Sequence, residues 1–190
     1  MASRYRSYRV AFQTIVYKEL ARFLRIWMQT VLPSAITMTL YFVIFGSLIG
    51  KRIGTMGGFS YMQYIAPGII MMAVITNSYS NVVSSFFGAK FQRHIEEILV
   101  APVPHVLILC GYVAGGVARG VIVGFMVTII ALLFTRIEIY SYSITFAVVI
   151  LTATLFSIGG LINAILAKKF DDISYEIGCT RLGMDKAYFL

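Results

Sequence analysis

The chain has 190 residues, of which 59% are hydrophobic and only 13% are charged, and its mean hydropathy is +0.84. These values exclude an ordinary soluble domain and predict an all-α polytopic membrane protein. The net charge of +8 does not indicate nucleic-acid binding, because basic residues in so apolar a chain set the topology and contact anionic membrane lipid.

The first predicted element is an amphipathic helix between residues 8 and 27. Apolar side chains recur there at three- and four-residue steps, and basic side chains repeat on another face. The apolar positions are Phe12, Val16, Leu20, Phe23 and Trp27, and the basic ones are Lys18, Arg22 and Arg25. We expect an interfacial helix on the inner membrane surface, which serves either as a topology anchor or as a docking element for a partner.

Four runs with few or no charges are long enough to cross a hydrocarbon core, which takes about 20 helical residues. They are residues 30–50, 63–87, 106–134 and 144–167. If the N-terminus is cytosolic, ten of the lysines and arginines that lie outside these runs and before residue 170 fall on cytosolic segments and three on outer segments. This bias favours a cytosolic N-terminus.

The second run is unusually polar along one helical stripe. The stripe consists of Asn77, Ser80, Asn81, Ser84 and Ser85. Residues at these spacings share a helix face, which should contact protein or water rather than lipid. The stripe indicates either hydrogen bonds between helices or part of a translocation path.

A charged segment, FQRHIEEILVAPVPH, follows at residues 91–105. Apolar and polar residues separate onto two faces, so the segment is predicted to be an amphipathic helix. Two carboxylates placed in hydrocarbon would together cost roughly 5 to 7 kcal/mol, so Glu96 and Glu97 must stay at the cytosolic interface. Pro102 and Pro104 end the helix and direct the chain back to the membrane.

The third run contains Arg119, which would cost about 2.5 to 3.5 kcal/mol at the centre of a membrane helix. We therefore expect the embedded part to run from about Val117 to Ile137, so that Arg119 reaches the cytosolic headgroups. Residues 106–116 would then form an approach helix.

Glycines recur four residues apart in and before this run. They are Gly111 and Gly115, and then Gly116, Gly120 and Gly124. Such spacing lets a neighbouring helix approach closely, either within the chain or across a dimer. Gly46 and Gly50 leave the same two alternatives open.

Three stretches together resemble permease subunits of type-2 ATP-binding-cassette exporters. They are FQRHIEEILVAPVPHVLILCGYVAGGVARG, YKELARFLRIWMQTVLPSAITMTLYFVIFG and AILAKKFDDIS, and the resemblance extends over about residues 8–174. It implies a multi-pass protein of the bacterial inner membrane. It also implies a permease homodimer that works with cytosolic ATPase subunits and moves amphipathic or polymeric cargo outward.

The resemblance assigns the segment from Lys90 to His105 as a coupling helix in a cleft of the ATPase. It implies polar contacts from Arg93, Glu96 and Glu97 and apolar contacts from Ile95, Ile98 and Leu99. Residues 1–174 would form one permease domain. The family has six spans, whereas the tail at residues 175–190, YEIGCTRLGMDKAYFL, is too short and polar to cross. We therefore expect a truncated or frameshifted permease, or one whose last spans another chain supplies.

No catalytic, cofactor or metal site is predicted. The stretch GSLIGKR at residues 46–52 is one residue too short for a phosphate-binding loop, and Arg52 stands where Ser or Thr must bind magnesium. His94 and His105 lack metal-ligand spacing, and Cys110 and Cys179 form no metal or redox motif. ATP hydrolysis is thus expected in a separate subunit. A non-transporting scaffold and an ion-coupled secondary transporter remain alternatives.

Overall fold

The computed structural model describes residues 2–50, 55–56, 59–100, 103–135 and 141–167. The α-helices within these ranges are α1 (Ala2–Arg25), α2 (Trp27–Val43), α3 (Tyr61–Phe91), α4 (His94–Val100), α5 (His105–Phe134) and α6 (Tyr142–Leu166). A π-helical turn, Ile44–Ile49, continues α2. Two-residue strands, Thr55–Met56 and Phe59–Ser60, pair antiparallel before α3. The prediction of an all-α architecture is confirmed.

Four helices in the described ranges are long and apolar enough to cross a membrane: Trp27–Gly46, Tyr61–Phe91, His105–Phe134 and Tyr142–Leu166. Their ends differ from the four predicted runs by no more than four residues. With 31 and 30 residues, α3 and α5 are each about 45 Å long and must extend beyond a hydrocarbon core of about 30 Å.

The central helix is α3. Of its most apolar part, 56% is buried, against 17% to 33% in the other three long helices. The greater burial explains why α3 tolerates a polar stripe, since its inward side chains meet other helices instead of lipid.

Apolar side chains form two core clusters at opposite halves of the bundle. The first core cluster consists of Phe23, Val31, Met38, Phe42, Met62, Ala66, Ile69, Ala73, Val123, Val127 and Ala131. The second core cluster consists of Val82, Phe86, Phe87, Ile108, Tyr112, Leu161, Ala164 and Ala167. In both, α3 packs against α5. The second cluster adds the C-terminal part of α6, which places it at the end of the bundle next to α4.

Glycines of α5 allow three helices, α1, α3 and, at Gly116, α6, to pack closely against it. Added methyl groups at Gly111 and Gly115 would fall 2.5 Å from Ile15 Cγ2 and 2.8 Å from Glu19 Cβ of α1. On another side of α5, Gly116, Gly120 and Gly124 lie against α3. The glycine repeat therefore packs helices within the chain, which was one of the two alternatives that the sequence left open.

Lys90 joins the ends of α3 and α6. Its Nζ donates hydrogen bonds to the carbonyl oxygens of Ile165 and Ala167, at 2.8 and 2.9 Å. The last carbonyls of a helix have no partner within it, and a nearby ammonium group stabilises them. The two helices thus end on the same side of the bundle, as expected for the second and fourth of four consecutive spans.

Candidate functional site

The segment that connects α3 to α5 turns sharply before α4 begins. Arg93 adopts a left-handed backbone conformation, with φ at 60°, which costs a residue other than glycine about 1 to 2 kcal/mol. Two backbone hydrogen bonds support the turn: Arg93 N donates to Lys90 O at 3.2 Å, and Glu96 N donates to Arg93 O at 3.1 Å. The turn holds α4 at the end of the bundle as a separate short helix.

The two faces of α4 meet different surroundings. Arg93, Glu96 and Glu97 are exposed, while Ile95 is half-buried and packs against the second core cluster. A weak ion pair joins His94 Nδ1 to Glu97 Oε2 at 3.7 Å. The side chains of Ile98 and Leu99, and all of Pro102, lie outside the described residues. The structure thus places an acidic, solvent-facing surface on a helix that is anchored from its other side.

Polar side chains of α1, α3 and α5 meet inside the bundle. We name them the buried polar cluster, which consists of Glu19, Arg22, Asn81, Ser85 and Arg119. Glu19 is only 3% exposed; its carboxylate accepts hydrogen bonds from Arg22 Nη2 at 3.2 Å and from Ser85 Oγ at 2.6 Å. Arg22 Nη2 and Arg119 Nη1 each donate to Asn81 Oδ1 at 3.2 Å. These charge-assisted bonds tie both α1 and α5 to α3.

Arg119 lies within the bundle, where α1 covers its side chain. Its side chain is 9% exposed, and its Cζ lies 5.6 Å from the centroid of the Phe23 ring, which is close enough for a cation–π interaction. The prediction that this side chain snorkels is therefore wrong. The reason is that α1 covers the first half of α5, while Asn81 supplies an acceptor inside the bundle. Residues 106–116 form the first part of α5 itself.

The basic face predicted for α1 is only partly correct. Lys18 and Arg25 are exposed, as expected, but Arg22 turns towards α3 and is 34% exposed. Glu19 was not predicted as a functional residue. Its signal is nevertheless present in the sequence, because it lies four residues after Ile15 and four before Phe23, on the stripe that packs inward.

The polar stripe of α3 divides into inward and outward members. Asn77, Asn81 and Ser85 are buried, Ser80 is half-buried and Ser84 is exposed. The inward members reach other helices: Asn77 Nδ2, for example, donates to Ser34 Oγ of α2 at 3.3 Å. Ser84 Oγ donates only to its own helix, at Asn81 O. Helix packing accounts for the buried members, and a role in a translocation path stays a prediction.

An apolar cavity of about 390 Å³ lies between α3, α5 and α6. Its two threonine hydroxyls donate within their own helices, Thr128 to Gly124 O at 2.7 Å and Thr145 to Ser141 O at 3.0 Å. In the ranges that the structure describes, no group of three or more His, Cys, Asp or Glu side chains is placed to bind a metal.

A family profile described as ABC-2 type transporter matches residues 10–177. Similar proteins named inner membrane transport permease YadH occur in Escherichia coli K12, Escherichia coli O157:H7 and Shigella flexneri. Each is 62% identical to this chain over 167 residues, which cover 88% of the chain and 65% of the relative. The chain thus spans 65% of the length of these relatives. No solved structure matches it.

Proposed function

Since the chain belongs to the ABC-2 type transporter family, we propose that it acts as the permease subunit of an ATP-driven exporter. It spans the membrane and couples to a separate cytosolic ATPase subunit, which hydrolyses the ATP. The observation that carries this proposal is the acidic surface of α4, which projects from one end of the bundle while Ile95 anchors the helix to the second core cluster.

Mechanical coupling needs a contact surface and a stiff connection to the spans. Glu96 and Glu97 lie in the first turn of α4 and are exposed, so they are available to basic side chains of a partner. Ile95 contacts a cluster to which α3, α5 and α6 all contribute. Because packed cores transmit displacement instead of absorbing it, a movement of α4 would reach three spanning helices together.

Membrane location and orientation complete the proposal. The four membrane-length helices and the relatives named inner membrane permeases confirm a multi-pass protein of the inner membrane. We infer that the N-terminus and α4 are cytosolic, from the lysine and arginine bias.

By analogy with the family, two permease chains and two ATPase subunits assemble. Membership of a transporter family driven by ATP disfavours the ion-coupled alternative.

The test is co-purification. The full chain is captured from gently solubilised membranes, and the accompanying polypeptide with a phosphate-binding loop is identified by mass spectrometry and assayed for ATP hydrolysis. Removing both charges with E96A/E97A should lower the captured ATPase at least tenfold, whereas E96D/E97D should retain it. K18A, which removes an exposed charge on α1, serves as the control for a general surface effect.

Two results would contradict the coupling assignment. One is equal capture of the ATPase by wild type and E96A/E97A at equal expression. The other is loss of capture by K18A to the same extent as by the double variant. A wild-type chain that captures no ATPase at all would favour the scaffold alternative.

A further inference from the structure

The buried polar cluster carries more positive than negative charge. Arg22 and Arg119 contribute two guanidinium groups, whereas Glu19 is the only carboxylate that pairs with an arginine in the described part of the chain. That carboxylate is already engaged by Arg22 and Ser85. Arg119 donates no hydrogen bond to Glu19, so the buried Arg119 has no counter-charge of its own among the described residues.

Hydrogen bonding is incomplete at the same two side chains. Both arginines share one acceptor, Asn81 Oδ1. The Nε atoms of Arg22 and Arg119 are buried and find no acceptor among the described residues. A buried charged donor without a partner is strongly unfavourable. The arrangement therefore suits an additional anion with several acceptor oxygens.

The two guanidinium groups are close enough to share one phosphate. Since each guanidinium nitrogen lies 3.2 Å from Asn81 Oδ1, the two nitrogens are no farther apart than twice that distance. Guanidinium groups bind phosphate oxygens through several parallel donors, and two neighbouring arginines can bridge one phosphate. Arg22 leaves 34% of its side chain exposed, so the cluster has an accessible edge beside α1.

The position along α5 indicates where the phosphate comes from. A hydrocarbon core of about 30 Å corresponds to about 20 helical residues. If the core ends at Phe134, it begins near Ala114 and Arg119 lies about 8 Å inside the boundary on the α1 side, so a phosphate must reach Arg119 through the exposed edge at Arg22. Lipid phosphates are the concentrated anions at this boundary, and basic pockets between membrane helices on the cytosolic side bind such headgroups.

We propose that Arg22 and Arg119 bind the phosphate of an anionic lipid from the leaflet on the α1 side, which is the cytosolic leaflet in the orientation proposed above. The phosphate supplies the missing negative charge of the buried polar cluster. It thereby fixes α1 against α3 and α5. The site does not depend on an ATPase partner, so it stands or falls separately from the coupling assignment.

The experiment compares lipid retention by the purified full chain. The chain is placed in mixed micelles that contain equal amounts of phosphatidylglycerol and phosphatidylcholine, and the bound lipids are counted by native mass spectrometry. We expect one phosphatidylglycerol to stay bound under conditions that remove phosphatidylcholine. R22Q and R119Q should weaken this binding about tenfold to a hundredfold, the loss expected for charge-assisted hydrogen bonds.

R25Q is the matched control, because it removes the same charge from an exposed position three residues after Arg22 on α1. It should retain the lipid. Equal loss in R25Q and R22Q would overturn the proposal in favour of general surface attraction, and so would a wild-type chain without preference for phosphatidylglycerol. If R119Q does not fold, wild type, R22Q and R25Q decide the question.

A second arm separates lipid phosphate from free phosphate. Wild type in phosphatidylcholine micelles is melted with and without millimolar inorganic phosphate, and again after phosphatidylglycerol replaces part of the lipid. Stabilisation by phosphatidylglycerol alone supports the lipid as the source. Equal stabilisation by inorganic phosphate would retain the phosphate site but overturn the lipid as its source.

Discussion

Two amphipathic helices outside the four long spans, α1 and α4, differ in the burial of their acidic side chains. Glu19 of α1 is 3% exposed and bonds to Arg22 and Ser85, whereas Glu96 and Glu97 of α4 are exposed. Both helices nevertheless place an isoleucine, Ile15 or Ile95, against the second core cluster. The difference teaches that helical periodicity identifies the stripe that faces the bundle, while partners distant in the sequence decide whether a charge can lie there.

The largest effect is expected from removing the buried carboxylate. E19A would leave Arg22 without its ion-pair partner, and breaking a buried ion pair costs about 3 to 5 kcal/mol. We take the lower limit, about 3 kcal/mol, because Arg22 is partly exposed. For a chain of this size that corresponds to a decrease in melting temperature of about 6 to 12 °C, measured by thermal unfolding in detergent.

E97A is the control for that experiment, since it removes the same charge from the exposed surface of α4. Its melting temperature should stay within about 2 °C of wild type, as for most surface substitutions. Equal decreases in melting temperature for E19A and E97A would show that the buried Glu19 contributes no more to stability than the exposed Glu97.

The helices and the family could be predicted from the sequence because both depend on local features. Apolar runs of membrane length locate the four long helices. The order of charged and apolar segments carries the resemblance to type-2 ATP-binding-cassette permeases, and the family match confirms the ABC-2 type transporter family. The resemblance covered residues 8–174, close to the matched residues 10–177. The tail at residues 175–190 lies outside the described residues.

The buried polar cluster could not be predicted because its members are distant in sequence. Asn81 lies 59 residues from Arg22 and 38 from Arg119, and no pattern along one helix reports such a contact. Without a known partner inside the bundle, Arg119 is assigned to the headgroups instead of hydrocarbon, which predicts the snorkelling position. An arginine in a span together with one glutamate on the inward stripe of α1 is the signal that would have pointed to a shared site.

A smaller effect is expected when the packing of α1 is disturbed without a change of charge. In G115A the added methyl group would lie 2.8 Å from Glu19 Cβ and 3.1 Å from Glu19 Cγ, so α1 must shift. Overpacking of this kind costs about 1 to 3 kcal/mol. The melting temperature should fall, and trypsin should cleave more rapidly after Lys18, because a loosened α1 exposes its backbone.

G88A is the matched control in α3, where an added methyl group meets nothing within 4 Å. It should keep the wild-type cleavage rate and stabilise the chain by about 0.4 to 1 kcal/mol through the entropy of the unfolded state. If trypsin cleaves G115A as slowly as wild type, close packing at Gly115 does not hold α1 against α5. The buried polar cluster alone must then hold α1 in place.

The smallest effect is expected at the ion pair of α4. His94 Nδ1 and Glu97 Oε2 are 3.7 Å apart, and their side chains are 57% and 81% exposed. Exposed pairs contribute about 0 to 1 kcal/mol, so H94A should change the melting temperature by no more than about 2 °C. A decrease as large as that of E19A would mean that α4 is also held by its charges. A negligible change would indicate that Ile95 anchors α4 and that Glu96 and Glu97 are available to a partner. This availability distinguishes α4 from α1, whose Glu19 is buried.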